Sequence, residues 1–167
     1  MKVFLLTHAR EFDRGNSSGA LAAGFAPSIV QRVRWSRVEP DPVIIDLLRS
    51  HSAALVYPDN ARNVEEGAGP EAGSCETARF DSFVLLDGTW QEARKIYNRS
   101  PYLQAALKVR IAREGPSLYR RRRNQQPGGL CTAECVIELF EAKGEQALAA
   151  GLASAFEVFN ALPCKGG

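Results

Sequence analysis

Short apolar runs alternate with helical patterns along this chain of 167 residues. Runs of apolar residues, or apolar residues alternating with polar ones, predict strands, whereas apolar residues recurring every three or four positions predict amphipathic helices. The predicted strands are Val3–His8, Ser28–Trp35, Ala53–Pro58, Ser82–Asp87 and Ala106–Ala112. The predicted helices are Asn16–Phe25, Val43–His51, Thr89–Asn98, Cys131–Gly144 and Glu145–Leu162, with a further turn or helix from Pro101.

This alternation predicts an α/β domain with a mostly parallel sheet and helices on both faces, a three-layer α/β/α arrangement. The length fits a single domain over residues 1–167. The segment Asp59–Asp81, with three glycines and several acids, is predicted to be an irregular loop, and so is the polar segment Arg113–Gly129.

The composition favours a globular protein that does not span a membrane. Hydrophobic residues make up 45% of the chain, which is enough to form a core, and no apolar run reaches the ~18 residues that span a bilayer. The first residues have a short apolar run with no cleavage site after it, so they predict the first strand and not a signal peptide. A cytoplasmic location follows as an expectation.

The four cysteines are expected to be reduced and to serve packing. Without an export signal, disulfides are unexpected in a chain of this length. Cys131 and Cys135 can share one helix face, but two thiolates with no further ligand nearby make a poor zinc site. No metal is predicted.

The charge of the chain is concentrated in one segment. From Lys108 to Arg123 there are seven basic residues and one acidic, a net charge of +6, while the remainder has fourteen basic and eighteen acidic, a net charge of −4. Four consecutive arginines, Arg120–Arg123, follow Tyr119 directly. Such clusters bind phosphate backbones, although a solvated loop is the alternative interpretation.

A carboxylate, Asp87, ends the most apolar of the predicted strands. Ligands of parallel sheets collect at the carboxyl ends of the strands, which makes Asp87 a candidate catalytic residue. A local explanation covers its neighbours, because Asp-Gly is a common turn pair and Thr89 and Glu92 have the spacing of a capping box. Helical spacing then predicts the buried face of the following helix, formed by Trp90, Ala93 and Tyr97.

The stretch Leu86–Trp90 resembles the Asp-x-Thr-Trp signature of the DTW-domain family. Further elements that resemble family motifs follow in the family's order and cover about residues 3 to 140. They are His8-x-x-Glu11-x-x-Arg14, Ser17-Ser18-Gly19-x-Leu21, Ser117-x-Tyr119-x-x-Arg122 and Leu130-Cys131-Thr132-x-Glu134. Ser17 stands where the family usually has asparagine, and Cys131 where it has serine.

The resemblance implies an aminocarboxypropyltransferase that acts on tRNA, with a fold like that of SPOUT methyltransferases, including a C-terminal knot. S-adenosylmethionine would donate its 3-amino-3-carboxypropyl group to N3 of a uridine, with release of 5′-methylthioadenosine and without a metal. Many family members carry a cysteine-rich zinc-binding segment before the domain, and we expect none here. The implied partner is tRNA or another structured RNA, and the oligomeric state is left open between monomer and homodimer.

The implied reaction and the chemistry of the side chains together suggest roles for single residues. Asp87 is the candidate general base for the uridine imide proton. The candidate donor-binding residues are Ser17, Ser18, Leu86, Gly88, Thr89, Trp90, Ile111, Leu130, Cys131 and Thr132. The candidate RNA-binding residues are Tyr119, which would stack on a base, and Arg120, Arg121, Arg122 and Arg123, which would bind phosphates.

Some alternatives stay open. A role as a core aromatic explains Trp90 about as well as donor binding does. His8 has a structural alternative too, as a strand-end residue that pairs with Glu11. A cysteine at a helix start predicts a lowered pKa for Cys131. The rival functions are an RNA methyltransferase of the SPOUT class and a non-catalytic RNA-binding module.

Overall fold

A computed structural model describes residues 1–57, 74–75, 77–111, 115–120 and 129–162. The strands in these ranges are β1 (Lys2–Thr7), β2 (Val30–Arg34), β3 (Ala53–Val56), β4 (Ser74–Cys75), β5 (Ser82–Asp87) and β6 (Lys108–Val109). The helices are α1 (Ala9–Phe12), α2 (Ser18–Phe25), α3 (Pro42–Arg49), α4 (Trp90–Asn98), α5 (Pro101–Gln104), α6 (Thr132–Ala142) and α7 (Gln146–Ala161), with a 3-10 turn at Thr77–Arg79.

The strands form one sheet in the order β2-β1-β5-β3-β6-β4, and every pairing is parallel. The predicted α/β class with a mostly parallel sheet is therefore confirmed. The C-terminal knot implied by the family resemblance stays a prediction.

Helices cover both faces of the sheet because its central strands are apolar on both sides. Leu5 and Phe83 face a core shared with α2, α6 and α7, whereas their neighbours Leu6 and Val84 face a second core with α3, α4 and α5. Continuous burial along a strand is typical of parallel sheets between two helical layers. The predicted three-layer arrangement is thus present.

Three details of the predicted elements are wrong. The predicted loop Asp59–Asp81 contains β4 and the 3-10 turn, because a two-residue strand leaves no periodic signal. Within the last predicted strand, Ala106–Ala112, the described residues 106–111 form a strand only at β6. In α4 the fully buried residue is Ile96, while Trp90, Ala93 and Tyr97 are only partly buried.

The connections after β1 and β5 leave the sheet toward opposite faces. After β1 the chain passes through the short α1 into α2, which packs in one core, and after β5 it enters α4, which packs in the other. Since β1 and β5 are neighbours, their diverging connections open a crevice at the carboxyl edge of the sheet, where parallel sheets bind ligands. Asp87 lies at this point.

Candidate active site

Asp87 is held by two threonine hydroxyls that come from different parts of the chain. Thr132, the first residue of α6, donates to Oδ1 of Asp87 at 2.9 Å. The hydroxyl of Thr7, at the end of β1, lies 3.1 Å from Oδ2 and 2.9 Å from the Leu5 carbonyl, so its one hydrogen serves one acceptor at a time. Only 2% of Asp87 is exposed. The carboxylate therefore joins β1, β5 and α6 at the crevice.

Among the described residues, Arg32 on β2 supplies the nearest positive charge to Asp87. Its Nε lies 3.8 Å from Oδ2 of Asp87, and its terminal nitrogens donate to the backbone carbonyls of Glu11 and Phe12 at 2.7 and 3.1 Å. The buried Nε has no hydrogen-bond partner in the part of the chain that the structure describes. Sequence patterns gave no signal for Arg32, because its place beside Asp87 depends on the order of the strands.

The first turn of α2 packs directly on the Asp87 carboxylate. Ser17 caps this helix by accepting from the backbone N–H of Ala20 at 3.1 Å. A Cβ atom added at Gly19 would overlap both carboxylate oxygens of Asp87. The positive end of a helix dipole attracts negative charge, so the first turn of α2 is a favourable neighbour for a carboxylate side chain.

We expect Gly19→Ala to destabilise the protein by about 1–3 kcal/mol, as overpacking of a filled site does. The matched control is Gly24→Ala in the same helix, where an added Cβ meets nothing within 4 Å. Helix propensity alone predicts that the free energy of unfolding of this control rises by up to about 1 kcal/mol. Urea denaturation of both variants measures the difference, and equal effects at the two positions would contradict the close packing of α2 on Asp87.

The turn after Asp87 is fixed by the predicted capping box. The backbone N–H of Thr89 donates to Oε2 of Glu92 at 2.8 Å, and the N–H of Glu92 donates to the Thr89 hydroxyl at 3.2 Å. Trp90 is half-buried beneath Gly129, where an added Cβ would come within 2.7 Å of the indole. The segment before α6 therefore crosses the indole close to Asp87.

Ser18 and Cys131 meet beside this site. The Ser18 hydroxyl is 1% exposed and has no hydrogen-bond partner in the described ranges, although it lies close enough to the Cys131 thiol to affect its pKa. Burial raises the pKa of Cys131, and the negative charge of Glu134 raises it further. The predicted lowering of this pKa is therefore wrong, because burial outweighs the helix N-terminus.

Cys131 is expected to react slowly with iodoacetamide even at pH 9, where a free thiol with a pKa of about 8.5 is mostly thiolate. A raised pKa keeps the thiol protonated, and burial to 3% exposure blocks the reagent. Mass spectrometry of the peptides, with the protein unfolded in urea as the reference, locates the alkylated residue. Equal rates in the native and unfolded protein would contradict this prediction.

Glu134 ties the segment 115–120 to the start of α6. This carboxylate is fully buried and accepts from the Ser117 hydroxyl at 2.6 Å and from the backbone N–H groups of Leu118 and Cys131 at 2.7 and 2.8 Å. Because Thr132 is the next residue after Cys131, the same helix start contacts both Asp87 and this segment.

The side chain of Tyr119 packs against helix α7. Its ring stacks on Phe156 and Phe159 of α7 and is 9% exposed. The prediction that it stacks on a base is wrong, because the aromatic side chains of α7 occupy its ring faces. Arg120 is exposed, and its backbone N–H lies 3.4 Å from Oδ1 of Asn160. The predicted phosphate contacts Arg121, Arg122 and Arg123 lie outside the described residues.

His8 does not form the pair with Glu11 that the sequence predicts. Its Nδ1 lies 3.7 Å from Glu92 and accepts weakly from the backbone N–H of Arg10 at 3.4 Å, while its ring stacks on Trp35. Glu11, the predicted partner, pairs with Arg14. The His8–Trp35 contact joins the loops that follow β1 and β2.

The structure gathers part of the predicted donor site. Ser18, Asp87, Cys131 and Thr132 are linked by the contacts described above, and Ser17, Gly88, Thr89 and Trp90 adjoin them in the chain. Leu86 packs in the core with α3 to α5 and Ile111 in the other core, while Leu130 is half-buried beside Cys131. Over the described ranges, no cluster of three or more histidine, cysteine or acidic residues is arranged to hold a metal, and no helix is long and apolar enough to cross a membrane.

Comparison with known proteins agrees with the motifs at this crevice. The family model described as the DTW domain matches residues 1–162. The chain belongs to the DTW-domain family. This DTW-domain chain is also 31% identical over 96 residues to the Drosophila melanogaster protein named tRNA-uridine aminocarboxypropyltransferase 2. The match covers 55% of this chain and 34% of that relative, so the chain matches about a third of the relative's length. No solved structure matches the chain.

Proposed function

We propose that this protein transfers the 3-amino-3-carboxypropyl group of S-adenosylmethionine to N3 of a uridine in tRNA and releases 5′-methylthioadenosine. Membership of the DTW-domain family and the name of the Drosophila relative support the reaction class. The proposed setting is the cytoplasm. The structural observation that carries the proposal is the Asp87 carboxylate, fixed by Thr7 and Thr132 where a parallel sheet binds ligands.

The residues at the start of α2 fit the donor. S-adenosylmethionine, when bound, supplies the transferred group on an activated sulfonium, so the chain has to position it and needs no metal. A buried hydroxyl without a partner costs free energy, and the Ser18 hydroxyl has no hydrogen-bond partner in the described ranges. The donor's carboxylate at Ser18 would satisfy this hydroxyl and lie at the positive end of α2.

Asp87 is the proposed acceptor of the imide proton. As N3 forms its bond to the carbon next to sulfur, that carbon's bond to sulfur breaks and the N3 proton must leave. The Thr132 hydroxyl, 2.9 Å from Oδ1, can pass its own proton to Asp87 and take the one from N3. A relay through Thr132 is compatible with the burial of Asp87, because Thr132 is 8% exposed whereas Asp87 is only 2% exposed. A positioned base of this kind contributes roughly 10²–10⁴-fold to a rate.

Incubation with bulk tRNA and S-adenosylmethionine, followed by nucleoside analysis, tests the proposal. The expected product is an aminocarboxypropyl-uridine together with methylthioadenosine. A methylated nucleoside with S-adenosylhomocysteine would show a methyltransferase instead. Calorimetry with the donor tests the non-catalytic alternative, which predicts no binding.

A further inference from the structure

A second group of arginines lies at the same edge of the sheet as Asp87. Arg10 lies in α1, directly after β1, and Arg14 just beyond it, while Arg34 ends β2 and Arg37 follows it. We name these four residues the arginine surface. In the parallel sheet, Arg34 pairs in register with Thr7, which in turn pairs with Asp87. Adjacent strands are about 4.8 Å apart, so the Cα atoms of Arg34 and Asp87 are about 10 Å apart.

The contacts within this region hold the guanidinium groups in place. Arg34 lies 4.8 Å from the centre of the Phe12 ring and donates to Asp13 at 2.7 Å, while Arg32 lies over the same ring at 5.0 Å. Arg14 donates to Glu11 at 3.2 Å. The side chains of Arg14 and Arg34 nevertheless remain 69% and 51% exposed. A guanidinium oriented in this way keeps other N–H groups available for a ligand.

Arg10 and Arg37 are exposed and form no ion pair with any residue in the described ranges. Arg10 lies two residues after His8, and Arg37 two residues after Trp35. The rings of His8 and Trp35 stack at 5.8 Å, and this contact joins the two loops that carry the arginines. Residues 9–38 carry five basic and two acidic side chains, a net charge of +3.

We infer that the arginine surface binds phosphates of the RNA strand on the side of Asp87 that faces β2. This inference rests on the proposed function, because it takes RNA as the substrate. An RNA strand that places one base at Asp87 carries its backbone across the neighbouring strand ends. Guanidinium groups match the phosphate geometry with two parallel hydrogen bonds. The arginine surface lies at and after the ends of β1 and β2, whereas Arg120 belongs to the segment 115–120 that Glu134 holds.

The double variant R10E/R37E tests this inference without breaking an ion pair described above. The matched control is R49E/R99E, which changes the net charge equally. Arg49 ends α3, four residues before β3 begins. Arg99 follows α4, and Tyr97 of that helix contacts Lys108 at the start of β6. Both arginines therefore lie toward the edge of the sheet where the strands begin, opposite the edge that holds Asp87. The neutral variant R10Q/R37Q removes the charges without adding repulsion. Circular dichroism melts establish that each variant is folded.

We expect R10E/R37E to weaken binding of bulk tRNA at least tenfold, and to lower the slope of log affinity against log salt by about 1 to 2. R10Q/R37Q should lose RNA affinity in the same way but by a smaller factor. The control R49E/R99E should bind RNA within about threefold of the unaltered protein. S-adenosylmethionine should bind all variants equally. Unchanged RNA affinity and salt slope in R10E/R37E, or an equal loss in the control, would overturn the inference and leave the proposed function intact. Failure of the unaltered protein to bind tRNA would overturn both.

Discussion

Replacing Asp87 with asparagine is expected to lower the rate of transfer to tRNA at least 100-fold while the protein stays folded and still binds the donor. Asparagine keeps the shape of the side chain and one oxygen acceptor for the Thr7 or Thr132 hydroxyl, but it cannot take up a proton at neutral pH. A general base contributes about 10²–10⁴-fold. Single-turnover transfer with saturating donor measures the rate, and calorimetry measures donor affinity.

The matched control for this experiment is Asp81→Asn. Asp81 directly precedes β5, at the opposite end of the strand that Asp87 ends, and its side chain is 88% exposed. It pairs with Lys143 at 3.1 Å, and because the Asp81 carboxylate is solvent-exposed this pair contributes about 0–1 kcal/mol. Transfer by this control should stay within about twofold of the unaltered protein. Transfer by Asp87→Asn within about fivefold of the unaltered protein would contradict the role of Asp87 as base.

Removing the buried carboxylate of Glu134 is expected to have the largest effect on stability. In Glu134→Ala the Ser117 hydroxyl and the N–H groups of Leu118 and Cys131 lose their acceptor. Breaking a buried charged network of this kind costs about 3–5 kcal/mol. The exposed Glu141→Ala on the same helix should change stability by less than about 0.5 kcal/mol. Urea denaturation compares the two variants.

Hydrogen exchange shows whether the loss is local to the segment 115–120. The Leu118 N–H donates directly to Glu134, so its exchange should accelerate in Glu134→Ala more than exchange in β1 or β5. The amides of those strands lie in the central parallel sheet. A uniform acceleration over all elements, or a stability within 1 kcal/mol of the unaltered protein, would contradict the role of Glu134 in holding this segment.

The fold and the turn after Asp87 were predictable because their signals are local. The apolar run Ser82–Asp87 predicts a buried strand, and the spacing of Thr89 and Glu92 predicts the helix start that the structure contains. Hydrophobic pattern and capping residues act over a few neighbouring positions, so a single sequence reveals them.

The partners of Asp87 depend on contacts between distant positions. Arg32 lies 55 positions before Asp87 and Thr132 lies 45 after it, and the parallel strand order brings both to the carboxylate. No local pattern encodes that order. The arginine surface was missed for the same reason, because its residues lie on two separate connections, whereas the basic run Arg120–Arg123 is continuous.

The predictions for Tyr119 and Cys131 were wrong because both side chains are buried. A tyrosine before four arginines resembles an RNA contact, yet its ring packs on α7. A cysteine at a helix start resembles an activated thiol, yet burial raises its pKa. Exposure is set by the tertiary packing, which neighbouring residues in the sequence do not reveal.

Incubation of tRNA with two differently labelled donors distinguishes aminocarboxypropyl transfer from methyl transfer. One S-adenosylmethionine carries the label in its carboxyl group and the other in its methyl group. In aminocarboxypropyl transfer, the carboxyl label enters a uridine of the RNA and the methyl label leaves in methylthioadenosine. Entry of the methyl label into the RNA, or of neither label, would contradict the proposed aminocarboxypropyl transfer.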